Sequence, residues 1–269
     1  MTQTTPKRLI LSLLSAPSLE EAEISELILW GQLFDIDAAT IRVSVGRLTR
    51  QGLLSSPSRG VYRIGPKGDV LSAAARDWIH AEDRVRPWQG DWLLAHTSHL
   101  GRSNRTGLRN TERAFHLRGF AECVSGLWCR PDNLAQRLSA TRTGLLQLGL
   151  DESAVLVQAT KIQGISEKKL FDLWPGKVLE KSYKRHSATM KKSLRVLAQM
   201  DLAAAARQSI QIGEAVIRQI NADPLLPMEM IDTRARQQMI SQMIDYDTVG
   251  IEIWQKFTRS HGRGTLTSM

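Results

Sequence analysis

The sequence predicts an α+β protein built from three successive parts. Residues 1–68 combine helical periodicity with two short strand patterns, and residues 88–165 alternate strand-length apolar runs with helical segments. Residues 166–269 are helical in pattern almost throughout. A chain of 269 residues with 42% hydrophobic content is long enough for two or three domains with substantial cores.

Residues 37–52 predict a helix with one apolar face and one basic face. Asp37 is a good N-cap because its carboxylate can accept hydrogen bonds from first-turn amides, and Ile41, Val45 and Leu48 recur at helical spacing. The outward face carries hydroxyl, aliphatic and arginine side chains: Thr40, Arg42, Val43, Arg47 and Arg50. Such a face suits a DNA major groove, where arginine bonds guanine edges or phosphates. The alternative is an ordinary amphipathic helix with a solvated basic face.

Two helices are predicted before this one, over Lys7–Leu14 and Glu20–Phe34. The connection Phe34-Asp35-Ile36 has the length that joins the helices of a helix-turn-helix, although it lacks the glycine that many such turns carry. Residues 37–52 are then the predicted recognition helix.

A β-hairpin is predicted directly after the recognition helix. Leu53-Leu54 begins the first strand, Val61–Ile64 returns, and Arg59 lies near the tip with Arg63 on the second strand. Residues 37–67 contain six Lys or Arg residues and a single acid. Residues 1–68 are therefore predicted to be a winged helix-turn-helix domain that binds double-stranded DNA.

The next part begins with a linker, residues 69–87, in which a helix is predicted over Asp69–Arg84. Residues 88–165 show the order β-α-β-β-α-β, which is the ferredoxin-like pattern. The predicted strands and helices are Trp92–Ala95, Asn104–Leu117, Phe120–Val124, Leu127–Arg130, Asn133–Leu148 and Ala154–Ala159.

Arginines are frequent in residues 102–130, which leaves two interpretations open: a second anion-binding surface or a solvated helix face. The histidines of this part show no metal-ligand spacing, so His96, His99 and His116 are expected on the surface or in loops. A nuclease would need clustered carboxylates, and the middle part is poor in acids. We therefore expect no catalytic or metal site and no enzymatic activity.

The C-terminal part, residues 166–269, predicts helices over Val178–Met200, Ala203–Asn221 and Thr233–Phe257, the last with a break near Gly250. The tail His261–Met269 is expected to fray. Residues 181–195 hold six Lys or Arg residues and no acid. Candidate ligands for a phosphate-bearing effector are Lys181, Lys184, Arg185, Lys191 and Lys192. The alternative is a basic exposed helix.

Net charge, apolar runs and cysteine count indicate which class of binding partner and which cellular compartment to expect. A net charge of +9 and a pI near 9.9 favour a polyanionic partner without choosing among nucleic acid, membrane surface and phosphorylated ligand. No apolar run reaches the length of a transmembrane helix, and the N-terminus lacks a signal-peptide pattern. Two cysteines cannot form a disulfide framework, so a cytoplasmic protein with reduced thiols is expected.

Motifs spread over most of the chain resemble those of the PaaX-type bacterial transcriptional repressors. The recognition helix Thr40–Gly52 is generic alone, but Tyr62-Arg63-Ile64 followed by Gly65-Pro66-Lys67-Gly68 adds to it. The remaining motifs, in order, are Trp88-Gln89-Gly90-Asp91-Trp92, Gly119-Phe120, Trp128-Cys129-Arg130-Pro131 and Asp223-Pro224-Leu225-Leu226-Pro227. The last run is fairly specific in this context.

The resemblance implies a homodimeric repressor of an aromatic-acid catabolic operon of the phenylacetate type. It also implies release from the operator by an aryl-CoA thioester such as phenylacetyl-CoA, with no bound cofactor. The middle domain of that family is similar to small CRISPR-associated nucleases of ferredoxin-like fold. Here the first strand ends Ala95-His96-Thr97-Ser98, without the aspartate that metal-dependent cleavage needs, so the domain is interpreted as non-catalytic. An architectural DNA-binding protein without an effector and a metal-dependent nuclease are the alternatives.

Overall fold

The computed structural model describes residues 5–15, 19–69, 77–100 and 105–262, and it confirms a mixed α and β architecture. The chain divides into two compact units. Unit one contains Met1–Ile79, Ala188–Ile217 and Ser241–Met269, and unit two contains His80–Ser187 and Arg218–Ile240. These units do not follow the predicted boundaries at 68 and 166, because segments from both ends of the chain share unit one.

Unit one begins with three helices and a small antiparallel sheet of strand order β1-β3-β2. The elements are α1 (Pro6–Leu14), β1 (Ala22–Glu23), α2 (Ile24–Gln32), α3 (Ala38–Arg50), β2 (Leu54–Ser58) and β3 (Val61–Ile64). The three predicted helices and the hairpin are confirmed, but the prediction that α2 starts at Glu20 is wrong. Glu23 and Glu26 form a capping box at the start of α2, in which each side chain accepts a hydrogen bond from the backbone amide of the other. Ala22 and Glu23 therefore precede the helix, and they pair with β3 as a short strand.

The turn between α2 and α3 needs a left-handed residue, and Asp35 supplies it with φ +59°. The Ile36 amide closes the turn by donating to the Gly31 carbonyl at 3.0 Å. Arg207 donates to the Asp35 carboxylate at 2.6 Å. The missing turn glycine is thus replaced by an acidic residue, a type that tolerates this conformation better than most.

We expect Asp35→Val to lower the free energy of unfolding by about 1–2 kcal/mol, because a β-branched residue is strained at positive φ. Asp35→Asn is the matched control, since asparagine accepts the same conformation and loses only an exposed ion pair. Urea unfolding of the two variants measures the difference, and equal stabilities would contradict this role of the turn.

The core of unit one joins the N-terminal helices to residues near the other end of the chain. Buried Ile41, Val45 and Leu48 of α3 belong to the same apolar cluster as Ala206 and Phe257. The Trp30 and Trp254 rings lie 5.6 Å apart, and the Arg8 guanidinium pairs with Glu214 at 3.1 Å. The N-terminal module therefore has a core that the C-terminal helices complete.

Unit two contains a four-stranded sheet of order β5-β6-β4-β7, in which every neighbouring pair is antiparallel. The elements are β4 (Trp92–His96), α4 (Arg105–Leu117), β5 (Ala121–Val124), β6 (Leu127–Pro131), α5 (Leu138–Gln147) and β7 (Val155–Ala159). The predicted β-α-β-β-α-β order is confirmed. Apolar side chains including Phe115, Phe120 and Trp128 form the core of this sheet and its helices.

Two helix predictions in this region are wrong in part. Residues 70–76 of the predicted Asp69–Arg84 helix lie outside the described residues, and residues 77–84 contain two short 3₁₀ helices, Asp77–His80 and Glu82–Arg84, in place of an α-helix. The buried side chains Trp78 and Ala81 are three residues apart, the spacing that aligns in a 3₁₀ helix. The helix predicted from Asn133 begins only at Leu138, because the Asn133 side chain is buried and donates to the Leu225 carbonyl at 2.7 Å.

The C-terminal part consists of α6 (Glu167–Phe171), α7 (Gly176–Leu197), α8 (Leu202–Asn221) and α9 (Thr233–Gly262). The three long predicted helices are confirmed, while the predicted break near Gly250 is wrong because α9 runs through it. The predicted frayed tail lies mostly outside the described residues, which end at Gly262. None of the described helices is long and apolar enough to cross a membrane.

A buried ionic network in unit two holds the segment Asp223–Pro227. The Arg236 side chain, 1% exposed, donates to Glu82 at 2.7 Å and to the Leu226 carbonyl at 2.8 Å. Asp223 is also buried, and its carboxylate lies 3.9 Å from the Arg236 guanidinium. Burial raises the pKa of Asp223. The positive charge of Arg236 therefore lies beside two carboxyl groups, those of Glu82 and Asp223, in a region with little exposure to solvent.

Candidate nucleic-acid interface

Two local features fix the start of α3 and its packing against α2. The Asp37 carboxylate accepts hydrogen bonds from the Thr40 amide at 2.8 Å and the Thr40 hydroxyl at 2.7 Å. These bonds hold the pKa of Asp37 below its ordinary value. A methyl group added at Gly31 would lie 2.6 Å from Ile41 Cγ1, so the glycine allows α2 and α3 to approach closely.

The two faces of α3 divide as the sequence predicts. Ile41, Val45 and Leu48 are at most 1% exposed. The side chains predicted to contact DNA are all exposed: Thr40, Arg42, Val43, Arg47 and Arg50. Val43 is 69% exposed, one of several large apolar side chains that the described residues expose, whereas the Thr40 hydroxyl is already engaged by Asp37.

The three arginines of α3 are not neutralised by the chain around them. Within the described residues, Arg42, Arg47 and Arg50 have no carboxylate within ion-pair distance. The one acid of the helix start, Asp37, is occupied by Thr40. The outward face of α3 thus presents positive charge whose nearest complement must come from solvent ions or a bound polyanion.

The hairpin carries the remaining predicted contact residues. A two-residue turn at Arg59 and Gly60, with Gly60 at φ +80°, joins β2 to β3 and leaves Arg59 exposed at the tip. Arg63 is exposed on β3, and its Nε donates to the Ser55 hydroxyl at 3.4 Å. The strand β3 pairs with β1 on one side and with β2 on the other. The hairpin that holds Arg59 and Arg63 is therefore anchored in the sheet.

The predicted effector residues are all exposed on α7. Lys181, Lys184 and Arg185 belong to unit two, and Lys191 and Lys192 belong to unit one. None of them lines any of three cavities formed by the described residues, around Gly213, Arg118 and Arg113 respectively. Their geometry is that of a solvated basic helix, one of the two interpretations that the sequence leaves open.

The arginines of residues 102–130 likewise do not form one surface. Arg105, Arg109 and Arg113 are exposed on α4, whereas Arg130 is 3% exposed. Its guanidinium donates to the Pro131 carbonyl at 3.1 Å and to the carbonyl of Arg118. Burial lowers the pKa of Arg130 to about 10. Arg130 is therefore a packing residue of the Trp128–Pro131 motif.

The end of β4 carries histidines rather than carboxylates. His96 and His99 are exposed, as predicted, with their rings stacked 5.0 Å apart, and the Ser98 hydroxyl contacts His96. Over the described ranges, no group of three His, Cys, Asp or Glu side chains is placed to hold a metal ion. Cys123 and Cys129 are free thiols.

Sequence reasoning missed a cavity of about 400 Å³ inside unit one. It lies among α1, α8 and α9, and its lining is mostly apolar apart from groups such as Asp247. The signal available in the sequence is a pair of glycines, Gly213 and Gly250, inside two helical patterns where glycine is unfavourable.

Comparisons with known proteins show a shared fold and no family. No protein-family model matches the chain, and no curated protein matches it. Among solved structures, the uncharacterized protein Rv0674 from Mycobacterium tuberculosis aligns with a TM-score of 0.65 at 21% sequence identity. The alignment covers 93% of this chain and 97% of that chain. At this identity, the similarity supports the fold alone.

Proposed function

We propose that the chain is a DNA-binding transcriptional repressor that reads its operator with α3. The observation that carries the proposal is the outward face of α3, which combines unneutralised arginines with an exposed Val43. Arginine pairs with guanine edges or phosphates, and an aliphatic side chain contacts the thymine methyl group. A solvated basic face gains nothing from the exposed valine, whereas a groove-binding face does.

In this proposal the N-terminal part acts as a winged helix-turn-helix. The helix α3 enters the major groove, and the β2–β3 hairpin is the wing that brings Arg59 and Arg63 to the phosphate backbone. Phosphate contacts supply affinity and salt dependence, while base contacts supply the choice of sequence. A homodimer would place two such helices in successive major grooves, about 34–36 Å apart.

The four-stranded part of unit two is interpreted as a ferredoxin-like domain without catalytic function. Its strand order, β5-β6-β4-β7, is that of a split β-α-β arrangement. The end of β4 offers His96 and Ser98 where a metal-dependent nuclease would need carboxylates. The helical C-terminal part would then serve effector response and dimerisation in the cytoplasm.

The effector in this proposal is an aryl-CoA thioester, as the PaaX-type resemblance implies for an operon of aromatic-acid catabolism. The exposed Lys181, Lys184 and Arg185 on one stretch of α7, and Lys191 and Lys192 on another, are available to its phosphates. The effector must prefer the conformation that does not bind DNA, since only differential affinity shifts an equilibrium.

A thermal-shift comparison tests the effector. If an aryl-CoA thioester is the effector, it should raise the melting temperature of the protein more than free CoA does. An architectural DNA-binding protein without an effector would show the same melting temperature with the thioester and with free CoA. A gel shift on the DNA upstream of the protein's own gene, against unrelated DNA of equal length, tests sequence-specific binding. Equal affinity for both fragments would contradict the repressor.

Gly46 provides a test that separates folding from binding. It lies in the middle of α3, is exposed, and a methyl group added there would meet nothing within 4 Å. We expect Gly46→Ala to raise the free energy of unfolding by about 1 kcal/mol through helix propensity. The same methyl group should weaken operator binding, because it projects from the face that approaches the groove.

Urea unfolding and gel-shift titration of the same Gly46→Ala sample measure both effects. The matched control is Thr143→Ala, an exposed position inside α5 of unit two where alanine also has the higher helix propensity and where operator binding should stay unchanged. A Gly46→Ala protein that is more stable and binds DNA as tightly as the parent would contradict close approach at this position.

A further inference from the structure

The cavity in unit one has the size and lining of a small-molecule site. Its volume of about 400 Å³ falls within the range of known ligand pockets, roughly 300–1,000 Å³. Apolar side chains from all three helices line it, among them Leu13 of α1, Ile217 of α8 and Ile251 of α9. An apolar body is therefore the part of a ligand that this cavity would bury.

Two glycines keep the cavity open. Gly213 of α8 and Gly250 of α9 both line it, and each lies inside a long helix where glycine is unfavourable. A methyl group at Gly250 would lie 3.6 Å from Ser209 Cβ, an ordinary contact, so the packing of α8 against α9 does not require glycine there. At Gly213 the nearest atom is the flexible end of Met243, at 3.3 Å.

The polar groups of the cavity define what the other end of a ligand should be. Asp247 is half-buried and has no hydrogen-bond or ion-pair partner among the described residues. Burial raises the pKa of this carboxyl group. The second acid of the lining, Glu214, is paired with Arg8 at 3.1 Å, and the exposed Arg259 donates to Gln255. Two neutral groups of the lining, Trp254 Nε1 and Thr258 Oγ1, are buried and also lack a partner. Among the described groups of the lining, the charged one without a partner is thus the acid Asp247, which favours a hydrogen-bond donor and disfavours an anion.

We propose that this cavity binds a small apolar molecule whose polar end donates hydrogen bonds to Asp247, such as an amine or a primary amide. A carboxylate or phosphate would face an unpaired acid instead. The site stands independently of DNA binding, and only its effect on the operator rests on the proposed function. That effect would pass through α1, because Leu13 lines the cavity and also belongs to the core that holds Ile41 of α3.

Titration calorimetry on the full chain with three ligands of the same aromatic skeleton tests the class. Naphthylmethylamine and naphthaleneacetamide are expected to bind, and naphthaleneacetate at least about tenfold more weakly, equivalent to about 1.4 kcal/mol. Tighter binding of the amine than of the amide supports an ionised Asp247, and equal binding supports a hydrogen bond alone. Binding of the carboxylate as tightly as the amide, or no binding of any of the three, would overturn the proposal.

Substitutions then assign the site. Asp247→Asn should abolish the preference for the amine over the carboxylate, whereas Asp245→Asn, an exposed acid on the same helix, should preserve it. Gly250→Leu should fill the cavity and abolish binding without lowering the melting temperature. Retention of the amine preference in Asp247→Asn would overturn the proposal even if the leucine variant fails to fold.

A gel shift with the amide present separates this site from the DNA function. A change in operator affinity that disappears in Asp247→Asn supports the coupling through α1. Ligand binding without any change in operator affinity rejects that coupling and leaves the ligand site intact, while failure of operator binding without ligand contradicts only the repressor.

Discussion

Replacing Arg47 and Arg50 together with alanine is expected to abolish most of the affinity for the operator. Both side chains are exposed on the outward face of α3, and no carboxylate of the described chain neutralises them. Removing an arginine that contacts a base costs about 1–3 kcal/mol of binding free energy. Removing one that contacts a phosphate reduces by about 1 the slope with which the logarithm of the binding constant falls with the logarithm of the salt concentration. If both arginines contact bases, the double variant should therefore lose several kcal/mol of specific binding free energy. If both contact phosphates, its salt slope should instead be smaller by about two.

A gel-shift titration at several salt concentrations distinguishes these two outcomes. The charge-matched control is Lys191→Ala with Lys192→Ala, which removes two exposed positive charges from α7. That control should retain nearly all of the operator affinity in the absence of effector. Unchanged affinity in the arginine variant would reject α3 as the recognition helix.

Replacing Arg236 with leucine is expected to destabilise unit two by about 3–5 kcal/mol, because removing it leaves the buried Asp223 and the partly buried Glu82 uncompensated. Glu82 would lose its guanidinium partner at 2.7 Å, and the buried Asp223 would lose the nearby charge at 3.9 Å. The Leu226 carbonyl would lose its donor as well. The loss should appear as a lower midpoint of urea unfolding.

Arg234→Leu is the control, two residues away on α9. Its side chain is 85% exposed and pairs with Asp232 at the surface, so its loss should leave the unfolding midpoint unchanged. An Arg236→Leu protein as stable as Arg234→Leu would mean that the buried network contributes nothing to the stability of unit two.

The sequence was sufficient where structure depends on local spacing. The repeat of Ile41, Val45 and Leu48 specified a buried helical face, because a helix places residues three and four apart on one side. The N-cap at Asp37 was predictable for the same reason, since its partner Thr40 lies three residues away. The order of strands and helices in residues 88–165 followed from apolar runs and turn residues.

The sequence was insufficient where a residue's role depends on distant partners. The strand Ala22–Glu23 exists only because β3 lies beside it. Arg130 belonged to an arginine-rich stretch by composition, yet it is buried against carbonyls that include that of Pro224. Gly213 and Gly250 interrupt two helical patterns, but the cavity could not be located from them, since Leu13, Gly213 and Gly250 approach one another only after three separate helices pack.

The N-terminal helices share their core with residues of α8 and α9, and this makes the N-terminal module sensitive to truncation of the gene. Ala206 and Phe257 pack in the same cluster as the buried face of α3, so the core of the N-terminal module is completed by residues that lie far along the chain from it. A fragment of residues 1–68 would expose that apolar face and is expected to aggregate. A premature stop codon near position 240 would remove Phe257 and is therefore expected to abolish the proposed DNA binding as completely as damage to α3 does.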